Sequence, residues 1–173
     1  FCYAAVSKKE EKNVKIVRNF VNSVEGFKNI YITHRSRNYG LANNIISGVT
    51  EILKRYDSII VLEDDIIVNQ HFLTFMNNAL RAYENNIKVS SVSGFSYLVS
   101  YDPVGELDET YFIKGADCLA WGTWSNRWMN FDNFADKDLE EIDRKANSYA
   151  FNRKNIYPYF QMLKRTEEKK INS

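Results

Sequence analysis

Apolar residues recur at helical spacing in three places. Val14, Val17, Phe20, Val21 and Val24 share one face until Gly26 stops the pattern, and Ser7 with Glu10 three residues on fits a capping box at its start. A second helix is predicted over Leu41–Tyr56, with Leu41, Ile45, Val49, Ile52 and Leu53 on one face. A third, over Gln70–Glu84, turns Phe72, Phe75, Met76, Leu80 and Tyr83 inward. Between them lie strand-forming runs at Phe1–Val6, Ile30–Thr33, Ser58–Leu62 and Val89–Phe95, the third apolar enough for burial on both faces of a parallel sheet. Strand and helix alternate, which predicts an α/β fold with a mostly parallel sheet, flanking helices and right-handed crossovers.

Beyond Phe95 the rhythm breaks. An irregular stretch leads to a strand at Thr110–Ile113, then Trp121, Trp124 and Trp128 at a spacing that places them on one helical face and predicts core packing for the last two. Charged helices follow at Asp138–Tyr149 and Pro158–Glu168. With 173 residues the chain predicts one domain, a core over about 1–131 and a helical part over about 132–173. It opens inside a strand and ends without a cap, as expected of a piece truncated at both ends.

Composition narrows the function. Gly and Pro together number nine against 45% hydrophobic residues, which excludes a linker or a disordered chain. Lys and Arg number 23 and Asp and Glu 22, interspersed, so no nucleic-acid arm is expected. The longest apolar run ends at Glu63, so no integral membrane segment is expected either. Cys2 and Cys118 carry no metal or disulfide pattern, and a cytoplasmic setting is the default expectation.

Chemistry concentrates in three places. Glu63-Asp64-Asp65 follows the most hydrophobic strand, at the strand end where open parallel sheets bind ligands. Adjacent carboxylates repel unless neutralised, and oxygen-only donors favour Mg²⁺ or Mn²⁺; the competing reading is a solvated turn that caps the next helix. The basic loop His34–Leu41 opens a helix running through Asn44, and Arg37, Asn38 and Asn44 suit an anionic or planar ligand at a helix N-terminus. In the third, Trp121 adjoins the small-residue loop Gly115–Ala120 and is the candidate ligand neighbour.

The runs Arg37-Asn38-Tyr39-Gly40-Leu41-Ala42-Asn43, Ile60–Asp65, Ser93-Gly94-Phe95 and Ala120–Trp124 with Arg127-Trp128 together resemble bacterial glycosyltransferases of the GT-A fold. The groups resembled are family 2-like enzymes and those similar to N-acetylglucosaminyltransferase I, over about residues 1–131. The resemblance implies a Rossmann-like nucleotide-diphospho-sugar transferase domain that transfers sugar, with inversion, to a glycan or lipid-linked acceptor in surface polysaccharide or glycoconjugate synthesis. It implies Asp65 as metal ligand, Glu63 and Asp64 facing sugar or ribose, and Arg37 and Asn38 near the nucleotide. Asp117 is the only acid offered as catalytic base, with Glu63 beside it. The family's first, base-holding strand would precede Phe1, and a sheet without it would have edges that invite self-association. Two rivals share the pattern: a sugar-phosphate nucleotidyltransferase, and an inactive sugar- or nucleotide-binding domain.

Overall fold

The computed structural model describes residues 8–96, 110–132, 142–143, 145–152, 154–155 and 157–168. The expected strand Phe1–Val6 and the Ser7 cap lie outside these residues. Two compact units emerge, one of residues 1–48 with 132–173 and one of residues 49–131.

The second unit holds the sheet. Its strands are β1 (Ser58–Val61), β2 (Val92–Ser93) and β3 (Trp121–Trp124), in the order β1-β3-β2. β3 is antiparallel to both neighbours, with Val61 and Ser93 each opposite Trp121 and Ile60 and Val92 opposite Gly122. Among the described residues helices and strands mix as an α/β class requires, but the sheet is a small, open antiparallel one where a mostly parallel one was expected. Its physical source is the Trp-rich segment: residues 121–124 extend and insert between β1 and β2. Those two strands still run in the same direction, as the alternation of elements predicted, but they are not neighbours.

Strand geometry also revises the tryptophans. Alternation puts Gly122 and Trp124 on one face and Trp121 and Thr123 on the other. The first face packs on α3 (Phe72–Ala82), whose Phe72, Met76 and Leu80 are buried with Val92, Ala120 and Trp124 in one core cluster. Gly122 is required there, since a Cβ would lie 2.9 Å from the Ile59 carbonyl oxygen and 3.2 Å from Met76 Cε. On the other face Trp128, in the short helix α4 (Ser125–Trp128), stacks on Trp121 at 5.9 Å and donates from Nε1 to Thr50 Oγ1. Trp124 is core as expected, whereas Trp128 is only half-buried.

Two expected strands do not form. Ile30, Tyr31 and Ile32 stand 37–71% exposed and Tyr111, Phe112 and Ile113 46–71% exposed, with no ladder partner among the described residues beyond an isolated bridge at His34.

The first three expected helices and the last keep their places with trimmed ends, whereas residues 138–141 and 144 of the expected Asp138–Tyr149 helix lie outside the described residues and the helix there runs over Lys145–Phe151. α1 spans Lys8–Asn22 and α2 Leu41–Leu53. Val49 and Leu53 of α2 are buried, but Leu41 is 63% exposed. In the C-terminal part α5 (Lys145–Phe151) and α6 (Tyr159–Glu167) pack together, where Asn152 Oδ1 accepts from the Phe160 N–H at 2.9 Å and Phe160 is buried. Among the described residues no helix is long and apolar enough to cross a membrane.

Candidate functional site

β1 and β2 point the same way and β3 the opposite way, so the segments leaving Val61 and Ser93 and the one entering Trp121 emerge at one end of the sheet. This is the carboxyl end of β1 and β2 and the amino end of β3.

Leaving β1, the chain makes a turn closed by Ile66 N–H to Glu63 O at 3.3 Å, with Asp64 and Asp65 at its tip. Both are exposed and Glu63 is half-buried. The helix-cap reading of this acidic run fails on position, because α3 begins only at Phe72. Its start is organised instead by Asn69, whose Oδ1 accepts from His71 N–H at 2.8 Å and whose carbonyl accepts from Phe72 N–H. The acidic turn is thus left without a structural task in α3.

Among the described residues no three His, Cys, Asp or Glu side chains converge to hold a metal ion. The turn does not fit a closed protein cage. It does fit the looser arrangement in which one or two carboxylates anchor Mg²⁺ or Mn²⁺ and substrate phosphates and water complete the shell.

Entering β3, Gly115 takes φ 117° and Ala120 φ 49°, left-handed conformations that bend the loop sharply. One carboxylate oxygen of Asp117 accepts from Leu119 N–H at 3.0 Å, so the proposed base spends part of its capacity shaping its own loop. The Ala120 carbonyl accepts from Gly94 N–H at 2.8 Å, joining this loop to the end of β2. Gly94 has to be glycine at that junction, because a Cβ would come within 2.4 Å of Phe72 Cε2.

Between these segments lies a cleft of about 640 Å³, lined by residues 66–69, 71, 72, 75, 94, 95, 119 and 120. Neither family models, nor curated proteins, nor solved structures match the chain. The cleft escaped sequence reading because it arises where three segments distant in sequence meet; its one local signal was Ile66-Ile67-Val68, an apolar run fitting neither neighbouring element.

The basic loop belongs to the first unit. There Arg35, not Arg37, is the organising cation: its Nε donates to Asn44 Oδ1 at 3.2 Å, its Nη2 to Ser47 Oγ at 2.8 Å, and its carbonyl accepts from Arg18 Nη2. Asn44, expected to meet a ligand, is engaged by Arg35. Asn38 Oδ1 accepts from Gly40 N–H at 2.7 Å in a tight turn before α2. Arg37 is exposed, its guanidinium 5.4 Å from the Tyr39 ring centre, while Arg35 lies over the same ring at 4.8 Å.

Proposed function

We propose that the chain carries the nucleotide-sugar site of a metal-dependent GT-A glycosyltransferase. The observation that carries this reading is the placement of the acidic turn Glu63–Ile66, the Gly115–Ala120 loop and Trp121 at one end of the sheet, with a cleft of ligand size between the turn and the loop on the α3 face. Asp65, with Asp64, would hold a divalent ion, which when bound supplies positive charge to the leaving diphosphate. Glu63, half-buried at the start of the turn, orients sugar or ribose hydroxyls as an acceptor of hydrogen bonds. Trp121 offers an indole surface to the C–H face of a sugar. The Gly115–Ala120 loop limits water at the transferring carbon.

Thermal unfolding with nucleoside diphosphates, with and without Mn²⁺, tests the assignment, since a ligand of the folded state raises its stability by mass action. Stabilisation that needs both nucleotide and Mn²⁺, and is absent in Asp65→Asn, is the expected result. Glycan binding that needs neither metal nor nucleotide would instead identify a binding domain. Diphosphate release from a nucleoside triphosphate and a sugar phosphate would identify a nucleotidyltransferase.

A further inference from the structure

Helix α1 turns only part of its apolar surface inward. Val14 and Val21 are half-buried, as is Arg18, whose Nη2 donates to the Arg35 carbonyl at 2.7 Å and ties the helix to the basic loop. That contact sets which side of α1 faces out. Ile16, Val17 and Phe20 stand 57%, 47% and 68% exposed, although Val17 and Phe20 continue the apolar period of the helix. At positions i, i+1 and i+4 they form one stripe left in water.

The charges around the stripe decide what suits it as a cover. Lys12 lies one turn before Ile16 and Lys9 two turns before it, so both extend the stripe toward the helix start, and Lys15 adjoins it; all three are exposed. Glu11, the exposed acid of α1, points half a turn away from Phe20. The bias continues past the helix, since residues 8–31 hold six basic residues against three acidic in a chain whose net charge is only +1. There Phe27 and Tyr31 are 67% and 71% exposed, with exposed Lys28 beside Phe27.

A second copy of the chain is the poorer cover, because it would set lysine against lysine. A lipid surface that is anionic at its boundary and apolar beneath meets both features at once: ammonium groups reach the phosphates while Ile16, Val17 and Phe20 enter the acyl boundary. We propose that α1 docks the protein on an anionic bilayer, lying in the plane of the surface. The proposal stands on the first unit alone and holds whether or not the acidic turn serves sugar transfer.

Vesicles of phosphatidylcholine, with or without about one-third phosphatidylglycerol, are sedimented with the full chain at low and at high salt. Binding should be about tenfold stronger or more with the anionic vesicles, since each lysine near such a surface contributes about fivefold, and should weaken severalfold at high salt. Phe20→Ser and Ile16→Ser, at exposed positions, should each lower the affinity about fivefold with unchanged thermal unfolding. Lys12→Gln combined with Lys15→Gln should remove most of the preference for anionic lipid. Equal binding to the two kinds of vesicle, binding to neither, or affinity unchanged in both serine variants overturns the proposal. So does a dimer in analytical ultracentrifugation that Phe20→Ser makes monomeric, which would assign the stripe to a second copy.

Discussion

The indole N–H of Trp124 donates to the Leu80 carbonyl at 3.1 Å, tying the central strand to the last turn of α3. That carbonyl lies among the terminal helix groups that lack an intrahelical partner, so the bond satisfies a buried acceptor as well as fixing the helix on the sheet. Trp124→Phe, which keeps most of the ring but removes the donor, should cost about 1–3 kcal/mol. Trp124→Ala, which also empties the core, should cost about 3–5 kcal/mol. Denaturant unfolding reads both.

Arg127 finishes the same helix end. Its Nη2 donates to the Tyr83 and Glu84 carbonyls at 3.0 and 2.7 Å, and its guanidinium lies 4.3 Å over the Trp124 ring. A cation here also complements the negative end of α3. Arg127→Met should lower stability by about 1–2 kcal/mol while leaving nucleotide binding unchanged, so calorimetry and titration of one variant separate the two properties.

Gly94→Ala should be among the most disruptive single-methyl changes in the unit. Its Cβ would overlap the Phe72 ring at 2.4 Å and approach the Ala120 carbonyl oxygen at 3.0 Å, so the ring or the loop must shift. A loss of about 1–3 kcal/mol is expected. Pairing it with Phe72→Leu should recover part of that loss, which a double-mutant cycle measures.

In the basic loop, two neighbouring substitutions should part company. Asn44→Ala removes the acceptor of Arg35 Nε and should cost about 1 kcal/mol of stability with little effect on nucleotide response. Arg37→Ala, at an exposed position, should leave thermal unfolding unchanged.

What the sequence disclosed follows from where each signal is local. Phe72, Met76 and Leu80 were legible because a covered helix writes its period into consecutive turns, and Ile59-Ile60-Val61 because the run is β-prone, although as an outer strand of the described sheet it is only half-buried rather than covered on both faces. Trp121, Trp124 and Trp128 misled because spacings of three and four match a helix face, whereas the chain changes from strand to helix at Ser125. Ile30–Thr33 read as a strand from its side chains, yet among the described residues it pairs into no ladder and stands largely exposed. The acidic turn could be placed from sequence, since it simply follows β1. Arg35 could not be singled out from Arg37, since which guanidinium turns toward Asn44 and Ser47 is decided by the fold of the loop.

The central position of β3 also governs how this unit comes into being. Trp121–Trp124 must reach back some 60 residues to pair with β1 and about 30 to pair with β2, and neither earlier strand bonds to the other. Loop-closure entropy is therefore spent before the first ladder bond forms, a topology that slows folding relative to one built from hairpins. During synthesis the hydrophobic runs of β1 and β2 emerge and wait, without a sheet, for the tryptophan segment to leave the ribosome. A nascent chain stopped before Ala120 would hold α3 and two unpaired strands, exposed to chaperones and to one another.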